Sequence, residues 1–311
     1  MSSTAASGAD ASSSPSPRRG EGRGEGIALV ATAALFWSLG GLLARLVDTD
    51  TWTTVFWRSI FAGVFLLGVT FVQEGRAAWR RTIWGMGWPG VAMALCFATA
   101  STCFINALAR TTVANTLIIQ STSPFIAALL GWVWMGERVR RRSWVAMAAA
   151  LTGAVVMASH SWGAGSISGD LLALVTAFAF AAATVIVRRQ REIRMTAAAG
   201  LAGVFSAAFA WRPARPFDVG VDDLALLALF GAAQLGFGLI LFTAGARLIP
   251  VAEAALIAVL ESVLGPVWVW LALGETPAPA ALLGGAIILG ALVVHTALNL
   301  RRSVPSSSVG S

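Results

Sequence analysis

Long apolar stretches alternate with short polar breaks along almost the whole chain. Ten can be marked out, at 26–45, 52–73, 85–108, 111–135, 143–160, 169–188, 195–211, 222–246, 250–273 and 279–299. Each has the length that an α-helix needs to cross the hydrocarbon core of a bilayer. Most of the connections are short, so neighbouring helices run antiparallel. The pattern predicts an all-α integral membrane protein of ten transmembrane helices. The two ends read differently. Residues 1–25 and 300–311 are polar, rich in Ser, Gly and Arg, and lack apolar periodicity, so they are expected to be disordered tails. The first apolar run is not a secretory signal, because it has no small-residue cleavage site and ends in LLARLV. Arg18-Arg19 is followed by Glu21, Glu25 and nine further spans, which argues against twin-arginine export.

Composition agrees with the pattern. Hydrophobic residues make up 57% of the 311 and charged residues only 12%, about half the share in a soluble domain. Such a chain cannot cover itself with polar surface. Its net charge is +7, carried entirely by Arg, since the chain has no Lys. In a soluble protein this balance suggests nucleic acid. Here the arginines cluster at span ends, so they report orientation instead, and no nucleic-acid partner is expected. With the N-terminus inside, 17 of 22 arginines fall in cytoplasmic loops and tails, while Arg45, Arg110, Arg212 and Arg215 fall outside and Arg58 lies within a span. This bias predicts a multi-pass protein of the cell (inner) membrane with both termini cytoplasmic.

The chain also repeats itself. NALARTTVANTLII at 106–119 reads against TAGARLIPVAEAALI at 243–257, and GWVWMGERV at 131–139 against VWLALGETP at 269–277. Trp132 thereby matches Trp270, and Gly136-Glu137 matches Gly274-Glu275. The units are 26–160 and 169–299, each of five helices. Five is odd, so the second unit enters the membrane in the opposite sense. The loops agree: GERVRRR is strongly basic, whereas GETPAPA has no basic residue. Two inverted five-helix repeats are an arrangement of secondary transporters, with the substrate site near the bilayer midplane at the repeat interface.

Both units close with an apolar helix, Gly-Glu and a further apolar helix. With FWSLGG (36–41), FWRSIFAG (56–63), SPFIAALLGWVWMGE (123–137) and VLESVLGPVWVWLALGE (259–275), this resembles the EamA family of the drug/metabolite transporter superfamily over residues 26–299. Where many relatives read Leu-Glu-Pro in the ninth helix, this chain has Leu260-Glu261-Ser262, with the nearest proline at Pro266. The resemblance implies an exporter or facilitator of small metabolites, often amino acids or related compounds. An Arg at position 58 is common in the family, which favours a structural anchor.

Several residues inside the spans carry possible chemistry. Glu261 lies about 16 Å beyond Pro250 along a helix, close to the midplane. An unpaired carboxylate there costs several kcal/mol. Such a group is suited to load and release a proton as access alternates, or to hydrogen-bond a neighbouring helix. Arg58 can bind a substrate carboxylate, pair with Glu261, or reach outward to the interface. Pro124 and Pro266 each deprive a carbonyl of its donor, that of Gln120 and of Ser262 respectively. Both prolines sit near mid-depth in the fourth helix of their unit, where broken helices line transport sites. Gln120, Ser121 and Ser123 are therefore candidate lining residues. Trp37 and Ser38 lie near mid-depth in the first helix and Gln234 in the eighth. Trp37 can stack on a flat or apolar substrate. Glu253 is placed to stabilise a helix N-terminus, and Glu137 and Glu275 to act as turn or gating elements. Cys96 and Cys103, two helical turns apart, read as small apolar fillers.

The two histidines, His160 and His295, fall at opposite ends of the membrane in this topology, so no metal site is expected. With no Lys there is no phosphate-cradling loop, and no cofactor is expected. An intramembrane enzyme lacks a convergent catalytic set. A non-transporting scaffold or assembly factor does not need acidic, amide and proline residues at the midplane. The expectation is a secondary transporter that alternates access, with proton coupling through Glu261. Its partners are a small-molecule substrate, such as an amino acid or amphipathic compound, and the lipid bilayer.

Overall fold

The computed structural model describes residues 21–111, 113–159, 166–190, 195–274, 276 and 278–300. Residues 1–20 and 301–311, most of the two tails, together with His160, Arg191, Arg194 and Glu275, lie outside the described residues, while residues 21–25, expected to be disordered, form the first turn of a helix. Among the described residues every regular element is helical. The first span is α1 (Glu21–Ser38) followed by α2 (Gly40–Leu46). Next come α3 (Thr51–Gly85) and α4 (Gly87–Arg110). α5 (Val113–Gln120) and α6 (Ser123–Met135) share the fourth apolar segment. α7 (Arg141–Ala158) completes the first repeat. The second contains α8 (Ile167–Arg189) and α9 (Thr196–Ala210). α10 (Val221–Ala228) then runs through a π-helical stretch (Leu229–Phe237) into α11 (Gly238–Ala246). α12 (Val251–Ala258), α13 (Leu260–Leu273) and α14 (Pro279–Leu300) follow.

Among the described residues, eight helical units are long and apolar enough to cross a membrane. The other two apolar segments are helical too: α7, and the shorter α9 of 15 residues. The connection between the second and third apolar segments is not an open loop. The α3 backbone turns at Gly75, whose φ of 73° favours glycine, and continues as a helix to Gly85. That continuation carries Arg76, Arg80, Arg81, Trp79 and Trp84, and Trp79 packs its ring edge against Phe71.

The repeats pack on each other in a reciprocal pattern. α3 lies against α9, α6 against α12, and α7 against α14, so the second, fourth and fifth helices each meet their own counterparts. α4 packs on α8, and α1 on α11, so the third helix of one unit meets the first of the other, both ways round. A two-fold relation between similar units produces such self-complementary pairing. Glycines let the backbones approach. A Cβ on Gly284 would collide with the Gly153 carbonyl across the α7–α14 contact, and one on Gly203 with Gly63 across α3–α9.

The duplicated Gly-Glu motif has a plain structural reason. Gly136 ends α6 and Gly274 ends α13, with φ of 65° and 70°. Both take the left-handed conformation that closes a helix, which a residue with a Cβ adopts only at a cost. The start of α3 is fixed differently. Asp50 accepts the backbone N–H groups of Trp52 and Thr53 and the Thr53 hydroxyl, capping the long helix.

Candidate functional site

Four of the membrane-crossing units depart from α-helix near their middles. The first is interrupted at Leu39, between α1 and α2. The fourth is interrupted at Ser121-Thr122, and the ninth at Val259. At each interruption the backbone tightens to bonds spanning three residues. Leu39 N–H donates to the Phe36 carbonyl, Thr122 to Ile119, Phe125 to Thr122, Val259 to Leu256 and Ser262 to Val259. In the eighth unit the helix widens instead, into the π stretch from Leu229 to Phe237. The interruptions at Thr122 and Val259 occupy nearly equivalent positions of the two repeats. They precede the helix-ending Gly136 and Gly274 by similar distances.

All four departures border one cavity at the repeat interface. Trp37 and Gly40 come from the first, Gln120 and Ser123 from the second, Phe230 and Gln234 from the π stretch, and Val259, Glu261 and Ser262 from the last. The cavity leaves about 90 Å³ for the centres of water-sized atoms, room for several waters or a small solute. Its remaining wall is largely apolar, with Phe97, Phe104 and Phe180. Trp37 is buried against Phe180 and Phe242, at ring-centre distances of 5.8 and 5.0 Å. The side-chain oxygen of Gln120 is buried without a hydrogen-bond partner.

Arg58 is the centre of a specific cradle. It is 4% exposed. Its Nη1 donates to Ser101 Oγ at 3.1 Å and its Nη2 to Gln234 Oε1 at 3.3 Å. Its guanidinium carbon sits 4.6 Å from the centre of the Phe230 ring. The amide nitrogen of Gln234 in turn donates to the Trp37 carbonyl at 2.8 Å, next to the break in the first span. Gly231 permits this closeness, because a Cβ there would overlap the Arg58 carbonyl. Every group bonded to the guanidinium is neutral, and its Nε has no partner. Glu261 lines the same cavity and acts on Arg58 electrostatically, yet the two form no direct ion pair. The cavity therefore presents a buried cation and a carboxyl group with space between them.

Among the residues predicted from sequence, Trp37, Arg58, Gln120, Ser123, Gln234, Glu261 and Ser262 border the cavity. Ser38 does not. It is buried elsewhere, donating to the Leu35 carbonyl and accepting from Trp268 Nε1 at 2.8 Å, which braces α1 against α13. Pro124 sits in the first turn of α6, immediately after an interruption, where a missing N–H costs little. Pro266 lies inside α13, and the break expected there falls seven residues earlier, at Val259. The backbone bonds tighten at 256–262, ahead of the proline. Ser101, Phe230, Gly40 and the π stretch were not singled out by sequence. The only hint was a glycine-flanked FGAAQLGFG run, with Gly231 and Gly236 on either side of Gln234.

The EamA-like transporter family matches residues 24–159 and again 167–297. No curated protein matches the chain. Among solved structures, one titled "Crystal structure of protein" is 20% identical, with a TM-score of 0.75, over 90% of this chain and 99% of that one. That likeness shows a shared fold across nearly both whole chains. With the family matched twice in tandem and many apolar membrane-length helices, the chain is a multi-pass membrane protein that belongs to the EamA-like transporter family.

Proposed function

We propose that this protein is a secondary transporter that exports a small zwitterionic or amphipathic metabolite, such as an amino acid, by alternating access. One observation carries the reading: four interrupted spans meet at a cavity holding Arg58 and Glu261 without a direct ion pair. A buried charge with only neutral hydrogen-bond partners is costly. A substrate carboxylate at Arg58 relieves that cost. An ammonium or amine faces Glu261, and the apolar remainder rests on Trp37, Phe97 and Phe180. A dianionic phosphate ester would need several buried cations, and among the described residues Arg58 is the one basic residue bordering the cavity.

All ten apolar helices cross the membrane in this reading, α7 and α9 included, and the two five-helix units insert in opposite senses. Both termini face the cytoplasm of the cell (inner) membrane. The arginine distribution supports this orientation. Glu261 carries the coupling proton. Its carboxyl binds a proton on one side of the membrane and releases it when substrate and cavity face the other. Export, rather than import, follows the family resemblance. The test is purified protein in liposomes with an imposed pH gradient, challenged with a panel of amino acids and small amphipathic amines. Gradient-driven movement of a zwitterion or amine supports the reading. Equal rates with protein-free liposomes across the panel count against it.

A further inference from the structure

A second cavity borders two of the same interrupted spans, farther from their breaks. It is bordered by Ala127, Ala128 and Gly131 of α6, by Val251, Ala252 and Glu253 of α12, and by Arg23, Glu137, Arg138, Arg140 and Ser143. These are the α6 and α12 segments farther from the interruptions, while residues beside the interruptions border the central cavity. On α6, Ser123 belongs to the central cavity and Ala127 to the second, about 6 Å apart along the axis. On α12, Glu253 and Ala258 divide in the same way, about 7.5 Å apart. The wall between the two linings is thus, on each of these helices, little more than one turn of apolar residues, 124–126 and 254–257.

Two charged pairs hold that wall in place. Glu137, just beyond α6, accepts from Arg188 Nε at 3.1 Å and from the backbone N–H of Val251 at 3.3 Å. It thereby caps the first residue of α12. Arg188, in the last turn of α8, also donates to the Arg247 carbonyl at the end of α11, at 2.6 Å. The carboxylate thus meets a helix N-terminus and the guanidinium a helix C-terminus, each in its favourable place. The second pair is Arg23 of α1 with Glu253 of α12. Glu137 belongs to the first repeat and Arg23 to the start of the helix that leads into it, and their partners belong to the second. In the proposed orientation all of these groups sit at the cytoplasmic end.

We infer that the second cavity is the cytoplasmic vestibule of the transport path, and that the Glu137–Arg188 and Arg23–Glu253 pairs latch α12 across its inner end. The inference rests on the alternating-access reading. Releasing the latch frees α12 from α6 and joins vestibule to central cavity. The vestibule's mixture of arginines and carboxylates suits a zwitterion in transit rather than a strongly charged ion.

The experiment needs no known substrate. In a background with Cys96→Ala and Cys103→Ala, Ser143→Cys reports the vestibule and Ala258→Cys the central cavity. A membrane-impermeant maleimide is applied to the cytoplasmic face of inside-out vesicles. The Ser143→Cys variant should react there, and the Ala258→Cys variant should not. Adding Glu137→Gln or Arg188→Gln should raise the labelling rate of Ala258→Cys at least tenfold. An unchanged rate in both latch variants, with Ser143→Cys labelling normally, overturns the latch. Reaction of Ser143→Cys only from the opposite face overturns the vestibule. An unchanged rate beside intact transport removes this inference alone. A tenfold response beside absent transport keeps the latch and overturns the transport reading, and with it the vestibule's place in a transport path.

Discussion

The side-chain oxygen of Gln234 accepts a hydrogen bond from the Arg58 guanidinium, at 3.3 Å. Its amide nitrogen donates to the carbonyl of Trp37, at 2.8 Å. One amide thus connects α3, the π stretch and the interrupted first span. The amide accepts from the guanidinium through its oxygen and donates to the carbonyl through its nitrogen at the same time.

Two substitutions separate these roles. Gln234→Leu leaves a buried guanidinium donor and a buried carbonyl unpaired, costing about 1.5–3 kcal/mol for the charged bond alone. A lower melting temperature in detergent and at least tenfold slower flux are expected. Gln234→Glu places an anion beside Arg58 and competes with a substrate carboxylate. It should reduce flux as strongly, but its ion pair with Arg58 partly offsets the lost donation to the Trp37 carbonyl, so the melting temperature should fall less than in Gln234→Leu. Wild-type flux in Gln234→Glu would show that Arg58 does not receive the substrate.

The α7–α14 contact offers a test of the fold by itself. Gly284 packs on the Gly153 carbonyl and the Met157 backbone. Gly284→Leu forces the two helices apart, and overpacking of this kind costs about 1–3 kcal/mol. Thermal unfolding in detergent should fall by several degrees. Gly290→Leu, where a Cβ meets nothing within 4 Å, should leave it unchanged.

A third prediction concerns acid stability outside the membrane. Partial burial opposes ionisation of Asp50, but bonds from the Thr53 hydroxyl and the Thr53 and Trp52 amides, with Arg215 nearby, hold its carboxyl below the usual value. A lowered folded-state value means that this stabilisation is complete above the unfolded value, near 3.9, and is lost as pH falls through the folded one. Asp50→Ala should cost about 1 kcal/mol at neutral pH. The gap from wild type should close below about pH 4. A gap that persists in acid would assign the effect to something other than the ionised cap.

Much of the site was legible because a membrane sorts residues by cost. A Glu, Gln or Arg at mid-depth is expensive unless it faces a protein interior, and Glu261, Gln120, Gln234 and Arg58 do. Depth alone, however, does not give direction around a helix axis. Trp37 and Ser38 sit at the same depth, but successive residues point about 100° apart. Trp37 faces the cavity and Ser38 turns to Trp268. The interruptions at Leu39 and Val259 carry no proline, and the π stretch has no signature beyond its glycines. Their geometry comes from contacts between distant segments, such as Gln234 reaching the Trp37 carbonyl past Gly40. Ser101 resembles any small residue in a span until Arg58 is found against it.

The central claim is that the cavity between Arg58 and Glu261 is the transport site and that Glu261 carries the coupling proton. It is tested most directly by comparing wild type and Glu261→Gln in liposomes, for a substrate found in the panel. Two modes are followed: exchange without a gradient, and accumulation driven by an imposed pH gradient. The account predicts that Glu261→Gln continues to exchange but loses gradient-driven accumulation and the pH dependence of its rate. Gradient-driven accumulation at the wild-type level, with unchanged pH dependence, would contradict it.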